Sequence, residues 1–255
     1  MKKVRQVIIY TILMGFSLAC TSPKTDETQV AQHEPAGTDN QLTDAEKANG
    51  WVLLFDGTTL NGWQIFKNRK NNTWEIVDGT LHCKALNENV PGDGDERSDL
   101  RTTAEYENFD LAFDWKIAPE GNSGVMFRVT EEFDQPYYTG PEYQLVDDYG
   151  YPGTLTEMQK TGSNYDMHPA PATKILNPPG SWNSSRLVVT GSHVEHWLNG
   201  EKVVEYDLQS EDWMQKKNAC KWKDAAGYGA PKKGYIDLQD HGSEIWFKNI
   251  KIKTL

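Results

Sequence analysis

The sequence predicts an all-β protein, an antiparallel sandwich built as one domain. Three observations carry that expectation. Short segments alternate strictly between apolar and polar residues, two-residue turn signals separate them, and almost no stretch has a helical period. Phe109, Leu111, Phe113 and Trp115 alternate with Asp110, Ala112, Asp114 and Lys116, and Val125, Phe127 and Val129 alternate with Met126 and Arg128. Because successive side chains of a strand point to opposite faces, each segment has one side for a core and one for something else.

Residues 1–19 are set apart from the rest. Lys2, Lys3 and Arg5 precede an apolar run from Val7 to Phe16, followed by Ser17-Leu18-Ala19-Cys20. The run is short for a bilayer span and has the flanks of an export signal. A small residue before Cys resembles a bacterial lipoprotein box, although Leu commonly stands three residues before the Cys and here that residue is Ser17. The expectation is cleavage before Cys20, a lipid on its sulfur, and anchoring in a bacterial cell envelope; the plain alternative is a secretory signal cut nearby. Residues 20–41 read as a disordered tether, with no aromatic side chain and many Thr, Gln, Asp, Pro and Ala residues. The folded domain then runs over residues 42–255.

Thr43-Asp44-Ala45-Glu46 is a capping-box pattern that predicts one short helix at 43–48, ended by Asn49-Gly50. Val52 to Phe55 is an apolar strand stopped by Asp56-Gly57. Segments 74–77 and 80–83 flank Asp78-Gly79, and segments 193–198 and 201–206 flank Asn199-Gly200, so both read as tight hairpins. In the last strand the apolar phase slips from Ile245 and Phe247 to Ile250 and Ile252, which predicts a β-bulge near Lys248-Asn249. Residues 146–181 carry five prolines and little periodicity, and residues 86–97 are rich in Asn, Gly, Asp and Glu. Long irregular loops in a compact domain are usually functional or disordered.

The chain has a net charge of −11. That disfavours nucleic acid and electrostatic binding to anionic lipid, both of which need a basic face. Nine Trp and eleven Tyr suit either a sandwich core or rings that stack on sugar C–H groups. Besides Cys20, only Cys83 and Cys220 remain, either as a pair in an oxidising compartment or as separate thiols; no zinc-ligand spacing occurs.

Two stretches carry candidate chemistry. If GNSGVMFR (121–128) and GPEYQLVDD (140–148) are neighbouring strands, alternation gathers Arg128, Glu142 and Gln144 on one face, where Arg, carboxylate and amide suit a polyol. The plain alternative is a salt bridge on a wet sheet face. In LQDHG (238–242), Leu238 faces the core, Asp240 is expected to hold the His241 imidazole in one tautomer, and Gly242 turns the chain. The plain alternative is an ordinary turn.

Together, GWVLLFDGTTLNGWQ, GNSGVMFR, GPEYQLVDD, SWNSSRLVVTGSHVEHWLNGEKVVEY and IDLQDHGSEIWFKNIKI resemble the DUF1080 family, the 3-keto-disaccharide hydrolase or 3-keto-glucoside 1,2-lyase domain, from about Leu42 to Leu255. The resemblance implies a concanavalin-like jelly roll and a glycoside substrate already oxidised at C3. A ketone at C3 makes the C2 proton acidic, its loss allows the C1 substituent to leave, and water addition completes a net hydrolysis. Glu142 and His241 are then the candidate bases, with Asp240 orienting His241. Arg128 or a divalent cation would stabilise the enolate, and Gln144 and Asp147 would complete substrate binding. A direct glycoside hydrolase using Glu142 with Asp147 or Asp240 is one rival. A non-catalytic carbohydrate-binding module or a structural surface protein are others, since fold alone does not decide function. His168 lies in a stretch that follows the family less closely, and no role passes to it.

Overall fold

The computed structural model describes residues 38–87 and 96–255. The signal, Cys20 and nearly all of the tether lie outside the described residues, as does most of the loop at 86–97. In chain order the elements are α1 (Asp44–Ala48), β1 (Val52–Leu53), β2 (Trp63–Ile65), β3 (Trp74–Val77), β4 (Thr80–Cys83), β5 (Leu100–Thr102), β6 (Phe109–Ile117), β7 (Asn122–Val129), β8 (Glu142–Val146), β9 (Asn183–Thr190), β10 (His193–Leu198), β11 (Glu201–Asp207), α2 (Glu211–Ala219), β12 (Tyr235–Leu238) and β13 (Ile245–Thr254). Among the described residues, one sheet has the order β11-β10-β9-β6-β13-β4-β3, with β1 on β13, and the other β2-β5-β12-β7-β8. Every pairing is antiparallel, giving a jelly-roll sandwich.

The turn chemistry explains the hairpins. Asp78-Gly79 and Asn199-Gly200 all adopt positive φ, as a two-residue hairpin turn demands. Thr43 caps α1 with both hydrogen bonds of a capping box. The slip in β13 is a bulge between Lys248 and Lys251, with Asn249 at φ 53°. The first apolar strand is shorter than its sequence suggests, because only Val52 and Leu53 pair with β13.

Helix α2 has no counterpart in the alternation pattern. Ser210 caps it by accepting from the Trp213 amide, yet only Trp213 and Lys217 are buried, so there is no apolar stripe to read. Cys83 and Cys220 are free thiols, the first buried and the second half-buried.

The five-stranded sheet positions the chemistry. Its register sets Leu100, Leu238, Val125 and Tyr143 in one row facing the other sheet, inside the main core. The next row holds Gln64, Arg101, Asp237, Met126 and Glu142 on the opposite face. This face is polar, but it is covered rather than wet: Arg101, Asp237, Met126 and Glu142 are all buried.

Arg128 departs from the expected face. Phe127 and Arg128 together oppose Ile236, a bulge in β7 that breaks the period of two, and Arg128 sits at φ 54°. Its guanidinium donates to the carbonyls of Glu107 and Gly191 instead of joining Glu142.

Asp240 is likewise an anchor. Its buried carboxylate accepts from Arg97 Nε at 3.0 Å, Thr73 Oγ1 at 2.7 Å and the Gly242 amide at 3.1 Å, tying the turn after β12 to two distant segments. Removing one member of a buried ion pair strands its partner's charge. Asp240→Ala therefore lowers stability by about 3–5 kcal/mol in urea unfolding; an unchanged midpoint contradicts the anchoring role.

Candidate active site

A cavity of about 540 Å³ lies on the polar face of the five-stranded sheet. Its floor is Asn122 from β7, Glu142 and Gln144 from β8, and Gln239 and His241 from the turn after β12. Its walls are aromatic: Phe133, Tyr137 and Tyr138 from the loop between β7 and β8, Tyr165 from the long loop after β8, and Trp222 from the segment after α2. Two of these three wall segments hold each other, since the Gly229 amide donates to the Thr139 carbonyl and Trp222 packs on Tyr137. Polar groups converging beneath apolar rings are the usual makeup of a small-molecule site.

Glu142 lies across a glycine. Gly124 stands opposite Gln144, and a Cβ at Gly124 would come within 2.2 Å of Glu142 Oε1. The bare backbone lets the carboxyl lie flat on the sheet. Burial there pushes its pKa up to about 8, with the Lys221 ammonium pulling it down and the Asp99 carboxylate adding to the rise. Burial therefore biases Glu142 toward its protonated form.

His241 has the opposite tendency. The protein around its ring lowers its pKa below 6.5, and Lys221 contributes in the same direction, while the backbone carbonyl of His241 and Asp240 resist. Its Nε2 lies 3.4 Å from Asn122 Nδ2, and Asn122 Oδ1 accepts from Gln144 Nε2 at 3.4 Å. This amide chain leaves Nε2 as the bare nitrogen of a neutral imidazole. The turn is fixed to β7 by three bonds: Gln239 N to Gly124 O at 2.9 Å, Ser123 Oγ to Gln239 O at 2.8 Å, and Asn122 N to Ser243 Oγ at 2.9 Å.

Of the residues singled out from the sequence, Glu142, Gln144 and His241 meet here. Arg128 and Asp240 are spent on structure, and the imidazole is oriented by Asn122 rather than Asp240. Asp147 is drawn away by its own turn, where its carboxylate accepts from the amides of Glu120, Tyr149 and Gly150, beside a separate cleft of about 90 Å³. Alternation could have found Asn122, which shares a face with Gln144; nothing local marks Tyr165, Lys221, Trp222 or Gln239 as neighbours of Glu142.

Behind the floor sits a second acidic group. Burial raises Asp237 well above the carboxylate range, with the Asp99 carboxylate adding to the rise, and burial raises Asp99 to about 7, with the Asp240 charge adding and a hydrogen bond from Asp237 opposing. Among the described residues, the one set of three His, Cys or carboxylate ligand atoms close enough to share an ion is His193, Glu195 and Glu205, on the other sheet. Lys202 already bonds both of those glutamates. Among the described residues that line the cavity no such set occurs, so these groups do not form a cage for a cation.

A family model described as a 3-keto-alpha-glucoside-1,2-lyase-like domain matches residues 50–253. A Bacteroides thetaiotaomicron protein named 3-keto-disaccharide hydrolase is 30% identical, covering all of both chains. Two solved structures of candidate glycosyl hydrolases from Parabacteroides distasonis are also similar. One is 41% identical with a TM-score of 0.77, covering 85% of this chain and 99% of its own; the other is 30% identical with a TM-score of 0.61, covering 80% and 99%.

The sign of the Glu142 shift fixes a stability consequence. Its folded pKa of about 8 exceeds the ordinary 4.5, so the folded state binds the proton more tightly and stability falls as pH rises from 4.5 to 8. Glu142→Gln removes that loss. In urea titrations the variant is more stable than the unmutated protein at pH 8, and the gap closes towards pH 4.5; Asp99 and Asp237 leave a residual slope of the same sign in both proteins. A gap that stays constant with pH contradicts the burial argument.

Proposed function

As this chain belongs to the 3-keto-alpha-glucoside-1,2-lyase-like family, we propose that it is a glycoside-cleaving enzyme whose substrate is a glucoside carrying a ketone at C3. The observation that carries the reading is the pairing, in one cavity, of a buried carboxylic acid that keeps its proton with an imidazole that gives its proton up. Environments that push two titratable groups apart assign them as acid and base.

His241 Nε2 takes the C2 proton, and the C2–H electron pair moves toward C3 to form an enolate. The ketone then re-forms, the C1–O bond breaks, and Glu142 gives its proton to the departing oxygen. Water adds across the resulting double bond: its hydroxyl goes to C1, C2 recovers a proton from His241, and the remaining water proton restores Glu142. The aromatic walls suit sugar C–H faces and exclude bulk water, and Gln144 and Gln239, whose Oε1 atoms are buried without a partner, are free to accept from sugar hydroxyls.

This assignment requires neutral His241 and protonated Glu142. The rate on a 3-keto-glucoside is therefore bell-shaped in pH, falling on the acid side below 6.5 and on the alkaline side above about 8. His241→Ala and Glu142→Gln each lower the rate on the order of 10²–10⁴-fold, and Glu142→Gln loses the alkaline limb. Near-full activity in folded variants of both sinks the assignment. Cleavage of the unoxidised parent glucoside at a similar rate favours direct hydrolysis, and sugar binding without cleavage by the unmutated protein favours a binding module.

We further infer that the chain works in a bacterial envelope, held by lipid on Cys20; the charged start, short apolar run and Ala19-Cys20 support this. Cys20→Ser moves the protein from the membrane fraction to the soluble one, and unchanged partitioning rejects the anchor.

A further inference from the structure

Lys221 is the one lysine or arginine among the described residues that line the cavity. Its ammonium lies 4.0 Å from the centre of the Tyr165 ring and 4.3 Å from that of Trp222. Both rings are themselves held. The Tyr165 amide donates to the Glu142 carbonyl at 3.0 Å, and Trp222 stacks on Tyr228 with ring centres 4.4 Å apart while its Nε1 donates to the Tyr165 carbonyl. The main chain of Lys221 is positioned by a bond from its amide to Asp166 Oδ2.

The way this cation is held matters. Among the described residues Lys221 forms no ion pair within 4.0 Å, in contrast to Arg97, Arg101, Lys174 and Arg186, each of which meets a carboxylate. A π face attracts an ammonium without accepting hydrogen bonds from all of its N–H groups in the way a carboxylate does. Burial lowers the Lys221 pKa while Glu142 and Asp166 favour its charge from nearby, but neither carboxyl bonds the ammonium. The result is a cation with free donors, facing a pocket in which the proposed chemistry develops negative charge on a single oxygen.

We propose that Lys221 is a third catalytic residue, whose ammonium donates to the C3 oxygen of the substrate and stabilises the enolate. The proposal rests on the functional reading above. When His241 takes the C2 proton, the electron pair ends on the C3 oxygen as O⁻, and the Lys221 N–H contact strengthens at that moment. When the ketone re-forms and the C1–O bond breaks, Lys221 returns unchanged, so it donates a hydrogen bond and transfers no proton. A donor engaged more strongly in the transition state than in the bound substrate accelerates the step, and loss of one such group typically costs about 10²–10³-fold in kcat.

The test uses Lys221→Met and Lys221→Arg in the full chain, with folding checked by circular dichroism and melting; Lys221 is exposed, so both variants are expected to fold. On a 3-keto-glucoside, Lys221→Met lowers kcat by about 10²–10³-fold with a smaller change in KM, and Lys221→Arg recovers part of the loss. A second readout needs no turnover. The titratable groups around Lys221 are Glu142, Tyr165, Asp166, Cys220 and His241, and its charge holds the Glu142 proton less tightly than burial alone would. Carbon-13 NMR of the Glu142 carboxyl therefore titrates at higher pH in Lys221→Met, and the alkaline limb of the rate profile moves up with it. If the unmutated protein cleaves the 3-keto-glucoside and Lys221→Met cleaves it equally well, the Lys221 proposal alone is overturned. If the Glu142 titration and the alkaline limb do not move, the ammonium does not act on the site and the proposal is likewise overturned. If the unmutated protein cleaves no 3-keto-glucoside, the functional reading falls and takes the proposal with it.

Discussion

The site depends on the way a glutamic acid is laid over a glycine. Glu142 and Gly124 are brought together by the antiparallel register of β7 and β8, which sets Gly124 opposite Gln144 and Met126 opposite Glu142. Any side chain at Gly124 would occupy the volume of the carboxyl. Because the carboxyl lies on a covered sheet face with no cation bonded to it, its proton stays. The same stretch of β7 positions the imidazole, since Asn122, Ser123 and Gly124 all bond to the turn that carries His241.

This arrangement is costly for folding. Glu142, Asp99 and Asp237 are carboxyls in surroundings that disfavour their charge, and the Asp237 carboxyl finds its partner in the Asp99 carboxyl beside it. The surrounding scaffold offsets that cost: the core row Leu100, Leu238, Val125 and Tyr143 lies directly behind, and the Arg97–Asp240 pair clamps the turn next to it. Functional sites commonly hold groups in environments that a stability-optimised protein would avoid.

The cavity divides its labour between two kinds of structure. Its floor is sheet and a turn bonded to it: the backbone ladder of β7 and β8 fixes Glu142, Gln144 and Asn122, and the turn that carries Gln239 and His241 is tied to β7. Its walls are loops, from 133–138, 165 and 221–227, which meet through ring contacts and a few backbone bonds. A sheet floor gives the precise placement that proton transfer needs, while loops can vary in shape to suit what leaves the sugar. Lys221 belongs to the wall, but Tyr165, which carries its ammonium, is bonded to the backbone of Glu142, so the two layers are coupled.

What the sequence determined by itself is whatever depends on neighbours along the chain. Alternation revealed the strands and put Glu142 and Gln144 on one face, Asp-Gly and Asn-Gly marked both hairpins, and the phase slip after Phe247 revealed the bulge in β13. Tertiary structure decided whatever depends on distant partners. Arg128 left its expected face because a bulge in β7, opposite Ile236 of β12, reversed the alternation. Asp240 turned away from His241 because Thr73 and Arg97, far off in the chain, offered its carboxylate better bonds than the imidazole beside it. Lys221 and Trp222 reached the pocket only through the packing of the segment after α2. A strand's periodicity reports which side a residue faces, but charge finds its partner by proximity in space, and that proximity exists only once the sheets have closed.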